Sequence, residues 1–214
     1  MVRGLRKRVS GLNPLKKLVY LISPKKIDNV FYKQLEKVLC FNNVKFFQLR
    51  LKKNKKKEII VFANKIKKIT NKYKVKLIIN DNADIAKIVN ADGCHLGQKD
   101  GSVSEAKKLL KKKIIGVTCH SSKLLAKIAI EKKVDYVAFG SFGQSRLKPN
   151  AKKVSPNILS WAKRNIKKPI VVIGGINNLN YKKFLKSGAN YIAISSYIWD
   201  NPKLKPEIAI RKFK

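Results

Sequence analysis

KVKLIINDNADIAKIVNADGCHLGQKD, residues 74–100, decides the fold. Its two apolar runs, KLIIN at 76–80 and GCHL at 93–96, have the length of buried strands, and the stretch between them takes a helix. Strand, helix and strand make one βα repeat of a parallel sheet. The same alternation runs outward in both directions. VYLI at 19–22 and FFQLR at 46–50 precede it; IIGVT at 114–118, YVAFG at 136–140, IVVIG at 170–174 and YIAIS at 191–195 come after it. The resulting eight strands recur roughly every 20 to 30 residues. A helix over 58–73 places Ile59, Phe62, Ile66, Ile69 and Tyr73 on one stripe, with Lys65, Lys67, Lys68 and Lys72 mostly on the wet face. Phe31, Leu35, Val38 and Leu39 share a face in the helix after the first strand. Ser102 or Ser104 caps the fourth helix, and Pro156 opens the one carrying Trp161. Eight such units make a single (β/α)8 TIM barrel, with an open doubly wound sheet as second choice. No linker or composition shift divides the chain, so residues 1–214 read as one barrel domain with a basic N-terminal extension at about 1–17.

Composition bounds the function. With 44% hydrophobic residues over 214, the chain can bury a core and is no disulfide-stapled miniprotein. Cys40, Cys94 and Cys119 match no metal or redox spacing, which points to reduced thiols, a cytoplasmic setting and no zinc site. The apolar stretch LVYLI behind the basic opening MVRGLRKR is too short for a signal core or a membrane span, so no membrane partner is expected. Fifty Lys plus Arg against 12 Asp plus Glu give +38, and the partner should be anionic. Nucleic acid is one such partner. The lysines are scattered over predicted helices and loops, however, as on a solvated surface, so no specific nucleic acid is expected. The sequence leaves room for a homo-oligomer. Of the scarce acids, Asp81, Asp84, Asp92 and Asp100 fall within twenty residues.

Both architectures gather active-site groups at the carboxyl ends of strands. Strand two ends in Gln48 and Arg50, which share the inward face, and Lys52 carries that face onto the rim. An amide with two cations suits a phosphate-bearing ligand that also has a neutral hydrogen-bonding part; the plain alternative is a surface role. Strand three ends in Asn80 and Asp81, either a hard-cation site or an Asx turn. Strand four is followed by Gly97, Gln98 and Asp100. Two acids on neighbouring loops of a cationic mouth, with Mg²⁺ between them and a diphosphate, would balance the charges. Gly174 and Gly175 follow strand seven, and Ser195 and Ser196 close strand eight, where bare backbone N–H groups often hold a monophosphate. The rim thus offers two anion sites, suited to two phosphorylated small-molecule substrates.

QLRLK at 48–52, IINDNADIA at 78–86, ADGCHLGQKD at 91–100, GVTCHSS at 116–122, DYVAFG at 135–140, VVIGGI at 171–176 and AISS at 193–196 together resemble the thiamine phosphate synthase family, in order and over most of the chain. The resemblance implies a (β/α)8 barrel that joins hydroxymethylpyrimidine diphosphate to a thiazole phosphate and releases pyrophosphate with Mg²⁺. It implies that Gln48, Arg50 and Lys52 hold the pyrimidine diphosphate with Asn80 beside them, and that Asp81 and Asp100 are the magnesium ligands. Thr118 stands where the family often has serine near the pyrimidine. Lys148 fits the lysine that touches the diphosphate, and Gly175, Ser195 and Ser196 would cradle the thiazole phosphate. Arg50, Lys52 and Lys148 would carry catalysis by charge stabilisation, with no acid or base assigned. One segment departs: where the family reads GP-x-F-x-T-x-T-K, this chain has GSFGQSRLK at 140–148, in which Ser145 keeps a threonine hydroxyl and Leu147 does not. Leu51 replaces a common glutamate and Cys94 a valine, the latter as a small core residue. His95 lies within strand four in a structural role, and His120 follows strand five. Two rivals remain: a thiazole tautomerase on the same barrel, which His120 would suit but Asp100 and Lys148 argue against, and a non-catalytic nucleic-acid-binding barrel.

Overall fold

Eight parallel strands close into one barrel, each hydrogen-bonded to its sequence neighbours and β8 back to β1. The computed structural model describes residues 17–143, 154, 155 and 157–214, so the basic extension falls almost wholly outside it. The strands are β1 (Val19–Ile22), β2 (Val44–Leu49), β3 (Lys76–Asn80), β4 (Gly93–Leu96), β5 (Ile114–His120), β6 (Tyr136–Gly140), β7 (Ile170–Ile173) and β8 (Tyr191–Ile194). The helices are α1 (Asn29–Leu39), α2 (Lys56–Lys72), α3 (Ala83–Ile88), α4 (Val103–Leu110), α5 (Lys123–Glu131), α6 (Asn157–Asn165), α7 (Tyr181–Lys186), α8 (Ser196–Trp199) and α9 (Pro206–Ala209). None of the described helices is long and apolar enough to cross a membrane.

Period-two alternation sorts the strand side chains into two cores. Val19, Leu21, Phe47, Leu49, Leu77 and Ile79 face the helices. Tyr20, Ile22, Phe46, Ile78, Tyr136, Ala138, Val171 and Ala193 fill the barrel. In α1 the expected face is the buried one, Phe31, Leu35, Val38 and Leu39, and Ser102 is the cap of α4, accepting from the Ser104 N–H. Pro156 lies outside the described residues. In α2 the deepest line runs through Ala63, Ile66 and Thr70, with Ile59, Phe62, Ile69 and Tyr73 flanking it half-buried. The small Ala63 lets the helix backbone approach the sheet more closely than the larger neighbours would.

The amino end of the barrel uses one device three times. The residue before a strand turns its side chain onto an N–H at the start of the preceding strand: Asp92 onto Leu77, Asp135 onto Ile115, Asn190 onto Ile170, at 2.8–2.9 Å. Asp92 also pairs with Lys76 at 2.8 Å. It therefore belongs to the opposite end from Asp81 and Asp100, although the sequence places all three acids close together. Asn43 closes this end by donating to the carbonyls of Ile210 and Phe213.

Candidate active site

At the carboxyl rim the chain leaves β2 through Arg50, anchored by its N–H on Ser23 Oγ at 2.9 Å. Burial lowers the pKa of the half-buried guanidinium, while nearby Asp81 and Asp100 oppose that shift. Lys52, two residues on and half-exposed, sets Nζ 2.8 Å from Asp81 Oδ2. Asp81 follows β3 in a left-handed backbone conformation, φ 64°, with its N–H on the His95 carbonyl at 2.7 Å. Asp100, on the loop after β4, accepts from the Gly97 N–H at 3.1 Å. Burial first, and then the hydrogen-bonding proximity of Asp81, hold the Asp100 carboxyl above the usual carboxylate range. The structure thus brings Arg50, Lys52, Asp81 and Asp100 together at the carboxyl rim.

Two facing carboxylates offer the hard oxygen donors that a magnesium ion takes. Among the described residues no group of three or more His, Cys, Asp or Glu is placed to hold a metal. Mg²⁺ needs only one or two carboxylates, completing its shell with water and substrate phosphates. Pushing like charges together is costly unless a cation or a proton intervenes, and Lys52 supplies part of that charge here.

Beneath this cluster a buried polar chain crosses the barrel. Gln48 Nε2 donates to Tyr20 Oη at 3.0 Å, Tyr20 Oη meets Tyr136 Oη at 2.6 Å, Tyr136 Oη meets His95 Nδ1 at 2.9 Å, and His95 Nε2 meets Thr118 Oγ1 at 2.7 Å. Gly116 makes it possible: a side chain there would occupy the space of the Tyr136 ring, which instead stacks on His95 with an interplanar angle of 14°. Gln48 and Thr118 were anticipated at the site and His95 as structural; Tyr20 and Tyr136 were not anticipated. Their inward register with Gln48 was the available signal. Asn80 ends β3 in register with His95.

Across the rim, Gly174 and Gly175 turn away from β7 with φ of 100° and 64°, conformations a side chain would strain. Gly143 packs close to Gly175. Asn180 Nδ2 donates to the Gly175 carbonyl at 2.8 Å, while Asn180 Oδ1 accepts from the Asn177 N–H. Ser195 is buried and its hydroxyl donates to the Ser23 carbonyl at 3.1 Å; Ser196 begins α8. Ser145 and Lys148 lie outside the described residues. Cys94 is fully buried, and burial pushes its thiol up to about 12, as befits a core residue. His120 ends β5 itself, exposed, with φ 52°.

Residues 19–198 match the family model described as thiamine monophosphate synthase. The chain is 53% identical over 200 residues to the thiamine-phosphate synthase of Pelagibacter ubique (strain HTCC1062), covering 93% of this chain and 97% of that one. It is 38% identical to the thiamine-phosphate synthase of Erythrobacter litoralis (strain HTCC2594), over 85% of this chain and 87% of the relative. Among solved structures it resembles the thiamine phosphate pyrophosphorylase from Pyrococcus furiosus, with TM-score 0.81, 27% identity and 94% of both chains covered. A 3-hexulose-6-phosphate synthase, with TM-score 0.66 and 16% identity, shares the fold alone.

Proposed function

Because the chain belongs to the thiamine monophosphate synthase family, we propose that this barrel acts as a thiamine-phosphate synthase, a transferase that joins a hydroxymethylpyrimidine diphosphate to a thiazole phosphate. The observation that carries the reading to particular residues is the meeting of Arg50 and Lys52 with the facing carboxylates of Asp81 and Asp100. Gln48, Arg50, Lys52, Asn80, Thr118 and Lys148 hold the pyrimidine diphosphate. Asp81 and Asp100 would hold Mg²⁺, which when bound would neutralise charge on the departing diphosphate. Lys52 then moves from Asp81 to the diphosphate, a short swing for a half-exposed side chain.

The bond between the pyrimidine methylene carbon and the diphosphate oxygen breaks, and its electron pair leaves with the diphosphate. The lone pair of the thiazole nitrogen forms the new carbon–nitrogen bond. No proton has to move. Arg50, Lys52 and Lys148 stabilise the leaving charge. The thiazole phosphate sits across the rim on the N–H groups of Gly175 and its neighbours, and Ser145 is assigned to it from the sequence alone. The N–H groups of Gly174, Gly175 and Ile176 have no acceptor among the described residues, which supports that use. Ser195, its hydroxyl engaged by Ser23, offers its backbone instead, as does Ser196. The matched relatives are named as synthases, and neither a tautomerase nor a nucleic-acid-binding barrel gains an observation from this site.

Asp81→Asn and Asp100→Asn test the assignment. Each should lose most synthase activity with thermal stability retained, because each removes one charge from the cation site. Activity indifferent to both changes and to EDTA would sink it.

A further inference from the structure

We propose that the buried chain Gln48–Tyr20–Tyr136–His95–Thr118 is a one-way hydrogen-bond relay that makes the Thr118 hydroxyl an obligatory donor to the bound pyrimidine diphosphate. The identity of the ligand rests on the reading above; the direction of the relay does not.

The direction comes from counting protons. All five side chains are at most 9% exposed, so each polar hydrogen must find an acceptor within the chain or in the site. Burial raises the pKa of both phenols, so each keeps its single proton at physiological pH. Gln48 Nε2 can only donate, and Tyr20 Oη accepts from it. Were Tyr136 to donate to Tyr20 as well, the Tyr20 proton would be left without an acceptor among the described residues. Tyr20 therefore donates to Tyr136 across 2.6 Å. The Tyr136 proton then goes to His95 Nδ1, which must be unprotonated. The neutral imidazole carries its proton on Nε2 and donates it to Thr118 Oγ1. Thr118, having accepted, has one proton to give and no acceptor for it among the described residues. Its carbonyl is already occupied by Gln98 Nε2. The hydroxyl at the end of the relay thus selects a ligand presenting a lone pair there and disfavours one presenting an N–H. Tyr20, Tyr136 and His95 act through Thr118 and are positioning residues.

The chain contains only two histidines, which makes the central claim measurable. Long-range ¹H–¹⁵N correlation on the ligand-free protein, with His120→Gln to assign the signals, should find His95 protonated at Nε2 and unprotonated at Nδ1. An Nδ1–H tautomer would reverse the steps from Tyr20 to Thr118 and overturn the relay. Tyr136→Phe should release the tautomer and raise KM for the pyrimidine diphosphate by roughly three- to ten-fold, leaving KM for the thiazole phosphate unchanged. Thr118→Val should raise the same KM, Thr118→Ser should restore it, and Tyr136→Phe added to Thr118→Val should raise it no further. A Tyr136→Phe effect that adds to that of Thr118→Val, or that falls equally on both substrates, would make Tyr136 a packing residue and overturn the proposal. If Tyr136→Phe cripples folding, Tyr20→Phe provides the second route, since it frees Tyr136 to point either way and should loosen the same tautomer; an unmoved tautomer there overturns the relay. A protein with the expected tautomer but no turnover of the pyrimidine diphosphate would overturn the ligand assignment while the direction stood.

Discussion

Cys94 and Cys119 show how far one residue's environment sets its chemistry. Burial pushes both thiols up to about 12, whereas Cys40 is exposed. Because the thiolate is the reactive form, titration with an aromatic disulfide at pH 8 should find one fast thiol per folded chain and three after denaturation. Three fast thiols in the native protein would contradict the buried placement. The core role of Cys94 was legible from its position inside a strand. The acids were legible only in part. Asp81 and Asp100 follow strands and so reach the carboxyl rim, but Asp92 precedes a strand and lies at the other end, on Lys76 and the Leu77 N–H. Proximity in sequence concealed that difference; position relative to the strand would have revealed it.

At the scale of elements, the loop after β7 depends on its neighbour. Asn180, preceding α7, holds the Gly175 carbonyl, and because a trans peptide sets its N–H opposite its C=O, that bond also fixes where the Ile176 N–H points. Asn180→Ala should raise KM for the thiazole phosphate by roughly three- to ten-fold and leave that for the pyrimidine diphosphate unchanged, with steady-state kinetics as the check. Gly175→Val should do the same more severely, since a branched side chain is strained at φ 64° and obstructs the approach of an anion. Equal effects on both substrates would mean that the two anion sites had been confused. The strands were legible because apolar runs bounded by polar residues leave little choice. Their ends were less so: β2 begins at Val44, recruited by pairing with Val19, and β5 continues to His120 across a register shift against β6. Such extensions depend on a partner strand, which local sequence does not display.

Over the whole molecule, 50 basic residues against 12 acidic ones give the chain a net charge of +38. Long-range attraction should steer both substrates inward, so kcat/KM should fall about ten-fold or more between roughly 0.02 and 0.3 M salt while kcat holds nearly constant. A flat salt profile would mean that the charge has no part in capture. The closed barrel was legible from the count of βα units, and the rim from the polar and glycine residues just past each strand. The relay beneath the rim was not, because it joins residues as far apart as Tyr20 and Tyr136 through hydroxyls whose meeting depends on the space left at Gly116. The central claim is that this barrel joins two phosphorylated rings through a magnesium-assisted departure of diphosphate. The most direct measurement incubates the purified chain with hydroxymethylpyrimidine diphosphate and thiazole phosphate, with Mg²⁺ or with EDTA, and monitors both products. Thiamine phosphate and pyrophosphate appearing in equal amounts with Mg²⁺, and neither appearing with EDTA, is the expected result; no thiamine phosphate in the presence of the metal, or undiminished synthesis in EDTA, would contradict the account.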